Sequence, residues 1–444
     1  KKKKKAFLLA RVALPAFANM HLAPPDFKVS EGRAVFVDFS KATYKVTYDI
    51  SGQTASVESQ ITFTSPKSGK PIFDLVNKPA NLTLDGKAVN HRLVDLPDNG
   101  SKVRVIWTDI DPGEHTLSMT SVLDLNVTFE TDAVRSAFWI RDLTSRKFIE
   151  QYVPSNLEYD QYPMTLDLVF KGVRTNKQEL RHNGRLTTTG PNSYRIEFPE
   201  WYTASGPYFH TFPAGAFATK RFNMTSVDGR SIPFTIYSTG ASVDKFVSYS
   251  KEVFIELEKD YGAWGHEQFT AYGAGSGGME HPGATMTSLG ALDHEMLHSY
   301  FAKGVMPSNG NSGWIDEGIA SWRDRAYPSL PAPGLIANLA NRSAYARNTD
   351  RRAYKVGSDL FGHVDYLMQN MGGLKAFLRG YFQTYKHTLI TVDHFINNLE
   401  FFSGLKLRPL FEEQVYRDAP ARKTSRSARG TVDENHAPMT AAQL

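Results

Sequence analysis

His294-Glu295-Met296-Leu297-His298 is followed, after eighteen intervening residues, by Glu317 inside Trp314-Ile315-Asp316-Glu317-Gly318. Histidines four apart lie on one face of an α-helix, so both imidazoles can reach one metal ion. A catalytic zinc site takes three protein ligands and leaves a fourth position for water; Glu317 supplies the third. The apolar-flanked run Trp314-Ile315-Asp316-Glu317-Gly318-Ile319-Ala320-Ser321-Trp322 reads as a second helix carrying that ligand. HExxH alone also describes a surface helix with two solvated histidines, and the acidic residue at this spacing argues against that. Glu295 projects about 100° round the helix from His294, toward the water rather than the metal, as a general base must.

Upstream stands Gly277-Gly278-Met279-Glu280-His281. With these residues the chain resembles the aminopeptidase N family of zinc metallopeptidases, whose pattern is a G-x-M-E-N strand, HExxH, eighteen residues and Glu. Ser205-Gly206-Pro207-Tyr208-Phe209-His210-Thr211-Phe212 resembles the segment closing that family's N-terminal domain. Tyr354-Lys355-Val356-Gly357 resembles its Y-x-K-G, and Ser403-Gly404-Leu405 through Val415-Tyr416 resembles the end of its catalytic domain. The similarity runs over roughly residues 35 to 418.

The resemblance implies one Zn2+ per chain on His294, His298 and Glu317, with Glu295 as base and Tyr354 as hydrogen-bond donor to the oxyanion. It also implies a substrate-binding stretch at Gly277, Gly278, Met279, Glu280 and His281, in which Glu280 holds the free α-amine and the glycines let a substrate backbone pair with an edge strand. Three departures stand out. Val356 replaces the family's lysine, which leaves Tyr300 and Tyr327 as the nearest rival tyrosines. His281 replaces the usual Asn, as in the G-G-L-E-H of the related glycyl aminopeptidases. The second amine anchor, which the family takes from its β domain, has no clear counterpart; Asp142 and Glu150 are the acidic candidates.

Away from the motifs, 444 residues with 41% hydrophobic content suffice for two or three domains. From about Ala34 to Thr211 short runs alternate apolar and polar residues, as in Val57-Glu58-Ser59-Gln60-Ile61-Thr62-Phe63-Thr64, with turns such as Leu84-Asp85-Gly86-Lys87 between them. That is an antiparallel β signature. After Arg221 the period changes: Phe246, Tyr249, Val253, Leu257 and Tyr261 fall at helical spacing, with Ser242 as N-cap and Gly262 as terminator. The expected class is α+β: an N-terminal antiparallel β domain over 31–215, then a thermolysin-like, mainly helical catalytic domain over 216–418. The family's large helical C-terminal domain has no counterpart in the residues that follow, and 419–444 reads as a disordered tail.

The net charge of +5 is carried by Lys1 to Lys5, so no basic stripe for nucleic acid remains. Residues 1–30 read as a leader or signal-like segment, basic then apolar, which points to an exported protein, or to a cytoplasmic one if the lysines are an added tail. No apolar run is long enough for a spanning helix, and the absence of cysteine excludes disulfide and thiol chemistry. The leading expectation is a zinc aminopeptidase acting on peptides. A zinc endopeptidase or glycyl-type aminopeptidase is the alternative within the enzyme class, and a non-catalytic protein-binding scaffold the alternative outside it. Oligomeric state and side-chain preference are not legible.

Overall fold

The computed structural model describes residues 19–97, 101–138, 149–172, 177–239, 242–275, 277–345 and 349–418. Most of the leader-like segment, Asp142 and the 419–444 tail lie outside these described residues.

Alternation builds the first half. In Thr54–Ser65 the side chains of Val57, Ile61 and Phe63 turn inward while Glu58 and Gln60 face out, because successive residues of a strand point to opposite faces. This strand pairs antiparallel with Asp38–Asp49 on one side and Gly113–Val122 on the other. Asp85 and Gly86 both have positive φ, 50° and 75°, as a two-residue type I′ hairpin turn demands. The expectation of a purely antiparallel domain is corrected on one point. Met164–Lys171 runs parallel to Asp38–Asp49 within an eight-stranded sheet, and Gly32–Val35 runs parallel to Lys70–Phe73. Alternation records which face is buried but not which way the strand runs; direction is set by long crossover connections.

The second half begins with a five-stranded mixed sheet, in spatial order Ala218–Thr225, Ser231–Ser238, Phe269–Gly273, Ala284–Thr287 and Gly278–His281. Gly278–His281 is therefore an edge strand, antiparallel to Ala284–Thr287. Helix α1 (Val243–Tyr261) buries Phe246, Val253, Leu257 and Tyr261 and ends at Gly262, φ 94°. Ser242 does not cap it: the hydroxyl makes no capping bond and pairs instead with Ser238 Oγ at 2.9 Å. Then come α2 (Leu292–Leu297), α3 (Trp314–Asp324), α4 (Ser358–Met368), α5 (Gly373–Tyr385), α6 (Val392–Ser403) and α7 (Arg408–Val415). Trp314, Phe361, Phe377, Phe395 and Phe411 belong to the apolar core these helices share.

The two halves meet through specific contacts. Asn183 Nδ2 donates to the Pro282 carbonyl at 3.0 Å, just beyond the edge strand, and the Trp201 ring stacks on His387 with centroids 3.9 Å apart. The β half thus braces the strand that carries Glu280. No helix among the described residues is long and apolar enough to cross a membrane.

Candidate metal centre and substrate cleft

Helix α2 is short, and His298 sits at its C-terminal cap with φ −59° and ψ −20°. Those dihedrals are still helical, so the two imidazoles stay one turn apart on one face. Their Nε2 atoms are 3.1 Å apart, and Glu317 Oε2 lies 3.2 Å from His294 Nε2 and 3.5 Å from His298 Nε2. Ligands about 2.0–2.1 Å from a tetrahedral zinc are separated by roughly 3.3–3.4 Å, so this triangle has the size that ion requires. The second nitrogens agree. His294 Nδ1 meets Asp324 Oδ2 at 2.6 Å and His298 Nδ1 meets the Phe301 carbonyl at 3.1 Å. An acceptor at Nδ1 fixes the proton there and leaves each Nε2 lone pair for the metal.

Sequence reasoning missed Asp324, although the signal is present: it follows Glu317 by seven residues, two turns along the same face of α3. Its neighbour Arg323 locks the helices together. Its guanidinium takes Glu256 of α1 in a bidentate pair at 3.1 and 2.8 Å and Asp293 of α2 at 2.6 Å.

Charge within the triangle is strongly redistributed. Burial works against a charged His294, yet the Asp324 and Glu317 carboxylates outweigh it and hold the imidazole well above its ordinary pKa. Burial likewise opposes ionisation of Glu317, but hydrogen bonds from both histidines carry it below the usual carboxylate range. Glu295 lacks such partners: burial pushes its carboxyl up to about 8, against the pull of His294 and His298, and its Oε2 is buried with no hydrogen bond.

Two glycine positions explain how the surrounding parts come so close. A Cβ on Gly278 would lie 2.1 Å from Glu295 Oε1, so the carboxylate occupies that residue's side-chain space. A Cβ on Gly357 would lie 3.0 Å from the Gly318 Cα, so α3 and the π-helical turn Ala353–Gly357 pack backbone to backbone. That contact delivers Tyr354. Its hydroxyl donates to Glu317 Oε1 at 2.8 Å and its ring lies nearly parallel to His294, centroids 6.1 Å apart. The rival tyrosines are elsewhere: Tyr300 donates to the Gly262 carbonyl in the core, and Tyr327 donates to Asp260 at 2.9 Å.

The Gly277 to His281 stretch divides by face. Gly277, φ 71°, turns the chain into the strand. Gly278 and Glu280 then face the candidate metal ligands, and the candidate ligand atoms of Glu280, Glu295 and His298 lie within 4.8 Å of one another. Met279 and His281 face away: Met279 packs with Tyr237 and Tyr272, and the fully buried His281 ring lies over Tyr208. Of the two second-anchor candidates, Asp142 falls outside the described residues, and Glu150 sits in the β half with its carbonyl accepting from Val76 N at 2.7 Å. What stands beside Glu280 is a residue that no motif marks, Lys303. Its ammonium is 3.7 Å from Glu280 Oε1 and donates to Ser205 Oγ at 2.7 Å. Ser205 and Thr203 in turn donate to Glu158 Oε2 at 2.8 and 2.6 Å. Glu158, Ser205, Glu280, Lys303 and Asp316 line one cleft.

The same arrangement of a β-rich half and a helical half is found among solved structures. The chain has the fold of the M1 zinc metallopeptidases. Legionella pneumophila aminopeptidase A, in complex with aspartic acid, superposes with a TM-score of 0.64 at 15% identity, over 88% of this chain and 51% of that one. This chain therefore spans about half the length of the Legionella protein. Yeast LTA4 hydrolase matches at 0.60 and 13% identity, over 88% of this chain and 69% of its own. A point mutant of a Deinococcus radiodurans M1 zinc metallopeptidase, bound to a Tyr-Ser-Ala substrate, matches at 0.58 and 13% identity, covering 86% of this chain and 95% of that one. No protein-family model and no curated protein sequence matches. At such identities the M1 likeness is one of fold.

Proposed function

We propose that the chain is a zinc-dependent aminopeptidase, with 31–215 as an N-terminal β domain and 216–418 as a thermolysin-like catalytic domain. The observation that carries this reading is the closure of His294, His298 and Glu317 on one point, with the Glu280 and Glu295 carboxylates beside it on the cleft side of an edge strand. Zinc held by those three residues supplies Lewis acidity to water and to the scissile carbonyl. Glu295 accepts the proton of the attacking water and hands it on to the leaving amine. The Tyr354 hydroxyl turns from Glu317 to the developing oxyanion. Glu280 pairs with the ammonium at the peptide's N-terminus, and the free edge of Gly278–His281 offers backbone groups to an extended substrate. Endopeptidase action is the second reading, favoured by Lys303, which already shares the carboxylate that would read the amine.

One preparation tests both. Metal analysis of the purified chain is expected to give about one zinc, and a mixed peptide library read by mass spectrometry is expected to lose residues stepwise from N-termini. Internal cleavage of N-acetylated peptides would establish the second reading instead. A metal-free chain that cleaves nothing would make this a binding scaffold.

A further inference from the structure

Lys303 is the one cation among the described residues lining the cleft, where Glu158, Glu280 and Asp316 supply carboxylates. Its side chain is only 8% exposed and that of Glu280 only 11%, so their ion pair is poorly screened. A peptide's ammonium arriving at Glu280 would meet a second positive charge within a few ångströms, in a site where like charges repel strongly. The chain also provides somewhere for that charge to go. Lys303 is closer to Ser205 Oγ than to Glu280, and behind Ser205 stands Glu158, whose Oε1 is buried without a hydrogen bond. The backbone holds the lysine in place. Lys303 N donates to the His298 carbonyl at 2.8 Å, and the residue before it, Ala302, has φ 140°.

We infer that Lys303 is a specificity-determining residue, competing internally for Glu280 so that affinity for a free amino terminus is set by how far Ser205 and Glu158 draw its ammonium away. The inference rests on the aminopeptidase reading for its meaning but not for its test. Leucine hydroxamate and its desamino analogue, 4-methylpentanohydroxamate, share a zinc-binding group and side chain and differ only in the α-amine. Their dissociation constants are measured by calorimetry on the zinc-loaded full chain, together with KM and kcat on a leucyl anilide.

In Lys303→Met the preference for the amine-bearing hydroxamate should rise about tenfold, with KM falling by a similar factor and kcat changing less than about threefold. In Ser205→Ala, which removes the hydroxyl that holds the lysine off Glu280, the same preference should fall about threefold. In Lys303→Met combined with Glu280→Gln the gain should vanish. An unchanged or reduced preference in Lys303→Met, or a gain that survives Glu280→Gln, overturns the inference while leaving the zinc site standing. Should Lys303→Met fail to fold, the opposite shift in Ser205→Ala carries the test, and no shift there overturns it. Binding of the hydroxamates with no turnover of the anilide would defeat the aminopeptidase reading alone. Binding of neither would overturn both.

Discussion

The candidate site has two ends, and they are built in different ways. At the metal end, three candidate ligands come from α2 and α3, and each is held by a group from the helical half: Asp324 for His294, Phe301 for His298, and Tyr354, on a turn pressed against α3, for Glu317. At the amine end, Glu280, Lys303, Ser205 and Glu158 come from an edge strand, a loop and two segments of the β half. The metal end is assembled within the helical half alone. The amine end depends on how two halves of the chain are set together.

The largest expected effect tests whether the metal end is a catalytic unit. Glu295→Gln leaves every ligand in place and removes the base, so kcat should fall by about 10³ while zinc content stays unchanged. Retention of more than roughly a tenth of the wild-type rate would take the base role from Glu295. Next comes Tyr354→Phe, with a loss of about 10² in kcat and little change in KM, because its hydroxyl meets charge that exists only in the transition state. A rise in KM at constant kcat would instead assign Tyr354 to ground-state binding. Asp324→Asn is smaller again: an amide holds the His294 Nδ1 proton less firmly, and zinc affinity should drop about 10- to 100-fold by chelator competition. Unaltered affinity would mean that α2 alone orients His294.

This contrast also explains what is legible in the sequence. His294 and His298 share a helix face by the 3.6-residue period, and Asp324 stands two turns beyond Glu317 on α3 by the same count, whereas the meeting of Glu317 with the histidines is legible only through the motif spacing. Gly318 and Gly357 are visible in the sequence, but not that they face each other, which is what brings Tyr354 to Glu317. Period two places Val57, Ile61 and Phe63 inside the β half, and says nothing about Met164–Lys171 lying parallel to Asp38–Asp49. At the amine end, alternation alone turns His281 away from Glu280 and into the core. Lys303 has no signal. A lysine is ordinarily solvated, and its burial here depends on Ser205, almost a hundred residues earlier in the chain.

A fourth expectation concerns the back of the amine strand. Burial depresses both His281 and His266 to about 3, against about 6.5 in an unfolded chain. Between those values the unfolded state binds protons that the folded state refuses, so stability is complete above pH 6.5 and drains as the pH falls. At pH 5 each histidine should cost about 2 kcal/mol. Denaturant titrations of the zinc-loaded chain at pH 7 and pH 5 check this, and His281→Leu should recover about half of the loss from the pair. A variant that loses as much stability as the wild type would show that His281 is protonated in the fold.

The smallest effect lies at the joint between the two ends. Ala302 follows helix α2 and precedes Lys303, with φ at 140°, a conformation that L-residues with a Cβ rarely adopt. Such strain costs of the order of 1–3 kcal/mol, and it is sustained by hydrogen bonds on both sides: Ala302 N to the Val305 carbonyl at 3.1 Å and Lys303 N to the His298 carbonyl at 2.8 Å. Ala302→Gly removes the strain. Against that stand the extra freedom of glycine in the unfolded chain, about 0.4–1 kcal/mol, and the loss of a buried methyl group beside the cleft. The balance should be a gain of about 1 kcal/mol or less in unfolding free energy, with zinc affinity unchanged because no ligand moves. The amine end should respond as well: a backbone no longer held at this angle lets Lys303 move more freely between Glu280 and Ser205, so discrimination between the paired hydroxamates should shift while kcat does not. A loss of stability in Ala302→Gly would mean that the loop's hydrogen bonds, and not strain tolerated for function, set this conformation, and that the two ends of the candidate site are coupled more rigidly than their separate origins in the chain imply.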